Sequence, residues 1–215
     1  MAVEIIPAVI PYAPADVAKL RDDLGGTASL IQIDVGDGIM TERKTLQAHD
    51  FSPKDFLGIS FEVHLMVSSP HREVDRWLDL GAKRVIVHAE SKPKAMLLQH
   101  IEERGAIPII ALQAQTSLRI IEPYLHLVRS VLFLSIDPPG RQGMPFLESV
   151  TDKISAFHQR YQTYGIEVDG GMNPQTAKLV VRAGATAIIV GSWLYAENGN
   201  PRRRYAELAQ VLAVI

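Results

Sequence analysis

The chain of 215 residues contains no cysteine, which excludes disulfides and thiolate metal sites. Its formal charge of −2 is too small to attract a polyanion or to mark an acidic tail. Arg202, Arg203 and Arg204 form the only basic run, and a solvated helix start explains them better than a nucleic-acid contact. No apolar stretch nears the roughly 18 residues that a membrane-crossing helix requires. Met1-Ala2-Val3-Glu4 has no charged region leading into an apolar one. No signal peptide is therefore expected, and a cytoplasmic location is the default. Linkers, low-complexity tracts and shifts of composition are missing too, so a single domain over residues 1–215 is expected. A composition of 47% hydrophobic and 21% charged residues suits one packed core.

What the chain does have is alternation. Short β-branched runs predict strands at Val3–Ile10, Ser29–Val35, Ser60–Met66, Arg84–His88, Ile107–Leu112, Ser130–Ser135, Ile166–Asp169 and Ala187–Val190. Amphipathic stretches between them predict helices at Pro14–Leu24, His71–Leu80, Lys94–Arg104, Leu118–Tyr124, Phe146–Tyr164, Pro174–Arg182 and Pro201–Leu212. The connection from Gly38 to Gly58 holds at most one short turn around Pro53–Phe56. Prolines suit first helical turns, and Gly81, Gly105, Gly165 and Gly184 are placed for left-handed helix ends. Strands followed by helices imply parallel pairing through right-handed crossovers. With no dinucleotide-type glycine turn after the first strand, the pattern predicts an α/β protein closed into a (β/α)8 TIM barrel. An open doubly wound sheet is the alternative.

Reacting groups in such barrels lie at the C-terminal strand ends. The second predicted strand ends Gln32-Ile33-Asp34-Val35-Gly36-Asp37-Gly38, and the third ends Glu62-Val63-His64-Leu65-Met66. The fourth ends at His88 and the seventh ends Glu167-Val168-Asp169-Gly170-Gly171. Alternation puts Gln32 with Asp34, Glu62 with His64, and Glu167 with Asp169 on one face. Each member has a plainer reading. A lone Asp caps the next helix, a lone His sits satisfied in the core, and Glu62 and Glu167 pair with Lys or Arg at the barrel bottom. That last reading is adopted for the two glutamates. Taken together, Asp34, His64 and Asp169 point to one functional mouth, because buried charge is costly unless paired or bound to a metal.

Gly170-Gly171 after the seventh strand and Gly191-Ser192 after the eighth occupy the usual phosphate location of this architecture. Their amides can approach an anion closely, and a short helix after the eighth strand would aim its positive end there. The loop Asp137–Gly143, carrying Gly140, Arg141 and Gly143, is expected to fold over the ligand, with Arg141 as an added anion contact.

These motifs resemble the ribulose-phosphate 3-epimerase family of phosphate-binding barrels, from Ile6-Pro7-Ala8-Val9-Ile10 through Gly191-Ser192. The resemblance implies inversion of one carbon of a pentulose phosphate by Asp34 and Asp169 as acid and base. It also implies a divalent metal (zinc, manganese, iron or magnesium) held by Asp34, His64, Asp169 and the residue at Gln32. Gly170, Gly171, Gly191 and Ser192 match phosphate contacts, while Met66 matches an apolar wall of the site. Gln32 stands where the family has a second metal histidine, Ala8 where it has a site serine, Gly36 where it has a methionine and Gln113 where it has an asparagine. The implied partner is a small phosphorylated sugar.

A barrel that binds a phosphorylated metabolite without turning it over is the alternative from another class. A related decarboxylase would want a lysine between Asp34 and Gly38, where there is none, and no strand end offers a Schiff-base lysine. A homo-oligomer is allowed, with an exposed helix face bearing Trp77 as the expected contact.

Overall fold

A computed structural model describes residues 3–215; Met1 and Ala2, part of the N-terminal reading above, lie outside them. Eight parallel strands close into a barrel in chain order. They are β1 (Glu4–Val9), β2 (Leu30–Gly36), β3 (Ser60–Met66), β4 (Arg84–His88), β5 (Ile107–Leu112), β6 (Ser130–Leu134), β7 (Gly165–Asp169) and β8 (Ala187–Val190). Closure is made by β1 against β8, with Ile5 beside Ile188 and Ile6 beside Ile189. The helices are α1 (Pro14–Leu24), α2 (Val74–Asp79), α3 (Ala95–Glu103), α4 (Ser149–Arg160), α5 (Pro174–Ala183), α6 (Ser192–Tyr195) and α7 (Pro201–Leu212).

Two apolar layers follow from the alternation along each strand. The larger lies between barrel and helices and includes Ile31, Val63, Val85, Ile110, Phe133 and Val168. The smaller fills the barrel itself with Ile6, Ala8, Leu30, Ile86, Ile109, Ala111, Leu132, Ala187 and Ile189. Inward positions not taken by these carry Gln32, Glu62, His64 and His88, each fully buried. At the barrel bottom Arg84 reaches Glu4 at 2.9 Å, Glu62 at 3.4 Å and Glu167 at 3.5 Å. The two buried glutamates therefore meet an arginine at the barrel bottom, as expected, Glu62 from the neighbouring strand and Glu167 from across the barrel.

Several boundaries differ from the sequence pattern. The stretch expected as a helix at Leu118–Tyr124 forms 3-10 turns at Leu118–Ile120 and Glu122–Leu127, because Pro123 has no N–H to give an α-helical ladder. The segment Phe146–Tyr164 is helical only from Ser149 to Arg160. Its start lies outside the helix, with Leu147 N–H bonded to the Ser135 carbonyl at 2.9 Å. Gly165 opens β7 rather than ending a helix, and a Cβ there would lie 2.5 Å from Ser130 Oγ. Trp77 is not exposed. Its ring is fully buried, with centroids 5.7 Å from Phe51 and 6.3 Å from Phe61. The loop after β2 supplies Phe51 and Phe56 to cover it, so α2 presents no indole to a partner.

Candidate active site

The geometry of the mouth follows from strand register. Asp34 pairs with His64 across β2 and β3, while Asp169 ends β7 on the other side of the barrel. Asp169 is held there from behind: Ser135 N–H and Oγ–H donate to its carbonyl at 2.7 and 2.8 Å. Three side chains then converge. His64 Nδ1 lies 3.1 Å from Asp169 Oδ2 and 3.4 Å from Asp34 Oδ1. Gln32 lies between the two carboxylates, its Nε2 donating to Asp34 Oδ1 at 2.7 Å and Asp169 Oδ2 at 2.8 Å. Its other amide atom, Oε1, is buried with no hydrogen-bond partner.

These contacts set the charges. Burial and the nearby Asp169 charge push Asp34 up to about 6, against hydrogen bonds from His64 and Gln32. Burial alone would lower the His64 imidazole. Its hydrogen bonds to Asp169 and Asp34, together with their charges, outweigh that and raise it to about 9. Behind His64, His88 is lowered by burial, only partly offset by Glu90. Burial would raise Glu90, but hydrogen bonds from His88, Thr116 and the Gln113 backbone hold it down at about 2.

A cleft of about 50 Å³ opens above this group. Asp34 and Asp169 form part of its floor, and Ala8, Met66, Gly140, Arg141, Gly143, Gly170, Gly171, Gly191 and Ser192 line it. Gln32 and His64 sit beneath the floor, fully buried. Every residue singled out in the sequence for acid–base, metal or phosphate roles is thus at or under one cleft. Arg141 is more than half exposed and stands 3.7 Å from Glu42 of the loop after β2. That loop also explains a departure noted above. A Cβ on Gly36 would lie 2.4 Å from Thr41 Oγ1, and Gly36 is tied through Thr45 and Gln47 to the returning chain. A methionine has no room there. Gly171 has φ +66°, and a Cβ on it would lie 2.9 Å from the Phe146 backbone, so the turn over α5 requires glycine.

Sequence reasoning did not assign Gln142, Met172, His88 or Glu90. Gln142 and Met172 line the cleft, and only the folded loop after β6 brings Gln142 there. His88 was noted as the end of the fourth strand but given no role, and Glu90 lies two residues beyond it.

Asp34, His64 and Asp169 are the one group, among the described residues, whose ligand atoms all lie within 4.8 Å of one another. Two carboxylates and one imidazole make a donor set that fits a divalent cation, while Gln32 turns its amide N–H groups, not its oxygen, to the two carboxylates. No described helix is long and apolar enough to cross a membrane.

The barrel resembles 3-hexulose-6-phosphate synthase from Salmonella typhimurium, with a TM-score of 0.72 over 98% of this chain and 99% of that one, at 17% identity. It also resembles 3-keto-L-gulonate-6-phosphate decarboxylase from Vibrio cholerae, with a TM-score of 0.74 over 100% and 99% of the chains, at 11% identity. At such identities the likeness speaks for the fold alone. In sequence the chain is 30% identical to the ribulose-phosphate 3-epimerase of Bacillus subtilis over 93% of this chain and 95% of that protein. It is 31% identical to the Chlamydia muridarum ribulose-phosphate 3-epimerase over 85% and 82% of the two. The model of the ribulose-phosphate 3 epimerase family matches residues 4–195. With a closed barrel, an Asp–His–Asp group at its mouth and that match across nearly its whole length, the chain belongs to the ribulose-phosphate 3-epimerase family.

Proposed function

We propose that this chain is an isomerase that inverts C3 of a ketopentose phosphate, interconverting D-ribulose 5-phosphate and D-xylulose 5-phosphate. The observation that carries the reading is the meeting of Asp34 and Asp169, from β2 and β7, at the floor of one cleft. Epimerisation beside a carbonyl needs a base to take the C3 proton from one face and an acid to return one to the other. Asp34 and Asp169 take these roles in turn. Because Asp34 is pushed up to about 6, its carboxylate can accept a proton and release it near neutral pH without a large energetic mismatch. Gln32 orients both carboxylates through its amide N–H groups.

Asp34, His64 and Asp169 would hold a divalent cation such as zinc, manganese, iron or magnesium, with Gln32 as a further ligand once its amide turns to present Oε1 in place of the N–H groups that lie between the carboxylates. When bound, it would supply Lewis-acid stabilisation of the negative charge that develops on the substrate oxygens. Backbone amides of Gly170, Gly171, Gly191 and Ser192 would take the phosphate, joined by Gly140, Arg141 and Gly143 of the loop after β6. Ala8 and Met66 form walls beside the reacting carbons. The proposed partner is therefore one small phosphorylated sugar, and the whole chain, residues 1–215, acts as one catalytic domain.

The test is exchange of the C3 proton of D-ribulose 5-phosphate in deuterated water, with Zn²⁺, Mn²⁺, Fe²⁺ and Mg²⁺ supplied in turn. The native protein should exchange it, and Asp34→Asn and Asp169→Asn should each slow exchange by about 10²- to 10⁴-fold. Unchanged rates in both variants would dismiss the reading. Tight binding of the sugar phosphate with no exchange under any metal would instead favour a barrel that binds without catalysis.

A further inference from the structure

The acid–base chemistry above leaves a fully buried pair of histidines half explained. His88 ends β4, with its Nε2 2.9 Å from His64 Nε2. The two ring planes are nearly parallel, at 13°, with centroids 5.0 Å apart. Nitrogens at 2.9 Å are closer than stacked ring faces approach, so the rings meet edge to edge through one N–H···N hydrogen bond. On its far side His88 Nδ1 lies 3.2 Å from Glu90 Oε2. Glu90 Oε1 is already taken, accepting the Gln113 backbone N–H at 2.8 Å.

This chain has one direction. An ionised carboxylate only accepts hydrogen bonds, and Glu90 accepts the Gln113 N–H on Oε1 while its Oε2 faces His88 Nδ1. His88 must therefore donate from Nδ1. A neutral His88 then has only a lone pair at Nε2, so the proton in the hydrogen bond between the histidines belongs to His64 Nε2. What remains on His64 is Nδ1, aimed at Asp34 and Asp169.

We propose that Glu90 and His88 are positioning residues that fix the tautomer and ring plane of His64, so that its Nδ1 lone pair faces the cation site between Asp34 and Asp169. The inference rests on the metal-binding reading of that site and extends it by two residues that touch neither substrate nor cation. Outer partners of this kind orient metal-ligating histidines generally.

A plainer role for Glu90 is to tie the turn after β4 to the turn after β5 through Gln113. The Glu90→Gln substitution separates the two roles. Its carbonyl oxygen can still accept the Gln113 N–H, and Lys153 independently holds the same turn by donating to the carbonyls of Ala114 and Thr116 at 2.5 and 2.7 Å. The amide NH₂ then faces His88 Nδ1 as a donor. The chain reverses: His88 donates from Nε2, His64 accepts at Nε2, and a proton is left on His64 Nδ1 where the cation should bind.

Titration of metal-free protein with Zn²⁺ by calorimetry should show E90Q binding about 10- to 100-fold more weakly than the native protein, with an unchanged melting temperature. Equal Zn²⁺ affinity in the two proteins would overturn the relay while leaving the metal site standing. No Zn²⁺ binding by the native protein would overturn both readings. Histidine ¹⁵N spectra of the native Zn²⁺-loaded protein decide the matter even if E90Q fails to fold. They should show His88 protonated at Nδ1 and bare at Nε2; the opposite tautomer would overturn the proposal.

Discussion

Gln32 is where a single side chain changes the chemistry of the mouth most. Its amide N–H groups lie between two carboxylates that would otherwise face each other with only His64 for compensation. The same amide leaves Oε1 buried without a partner, a state that costs about 1 to 3 kcal/mol wherever it persists. An imidazole at this position would exchange a neutral amide oxygen for a stronger nitrogen ligand. Gln32→His should therefore bind Zn²⁺ at least about tenfold more tightly in a calorimetric titration. An unchanged affinity would mean that residue 32 does not reach the cation. The types and spacing of Gln32, Asp34, His64 and Asp169 were legible in the sequence, because period-two alternation sorts them onto one face. The direction of the Gln32 amide was not, since it is set by which oxygens happen to lie nearest.

Among the elements, strands were easier to read than helices. The strand at Arg84–His88 appears with the bounds its sequence suggests, since a short β-branched run flanked by turns has few other solutions. The region from Leu118 to Leu127 resolved into 3-10 turns, where one proline outweighs a helical pattern of apolar residues. Trp77 was misjudged as exposed because its cover, Phe51 and Phe56, comes from a connection with almost no periodic signal. The turn after β7 shows how an element boundary sets a site. Gly171 lies against the Phe146 backbone in a left-handed conformation, and Thr176 Oγ–H of α5 donates to its carbonyl at 2.9 Å. Gly171→Ala should cost about 1 to 3 kcal/mol and weaken binding of inorganic phosphate. Thermal unfolding and a phosphate titration check both effects, and a melting temperature equal to that of the native protein would refute the strain.

Viewed as a whole, the barrel is polar at both ends and apolar between them. Its mouth carries the acid–base group, and its bottom carries Glu4, Glu62 and Glu167 around the single Arg84. One cation among three carboxylates leaves net negative charge in a buried place. Burial pushes Glu167 up to about 7 from an ordinary value of 4.5, against the attraction of Arg84, and raises Glu62 as well. A folded-state pKa above the unfolded one means that the native protein holds extra protons between those values. That stability is complete below about 4.5 and is lost as pH rises through about 7. Glu167→Gln should accordingly raise the melting temperature more at pH 8 than at pH 5, because it removes the charge that high pH forces on the bottom. A gain of equal size at both pH values would show that Glu167 does not titrate in this range.

By itself the sequence determined the repeating strand-and-helix order, the inward face of each strand and the position of Asp34, His64 and Asp169 at C-terminal strand ends. Local periodicity and short connections settle those features without long-range information. Only the tertiary structure decided that Asp169, more than a hundred positions further on, stands about 3 Å from His64, and that Gln142 and Glu90 join the same end of the barrel. The reason is closure. Until β1 pairs with β8, nothing in the chain obliges β7 to face β2 and β3 across a common interior.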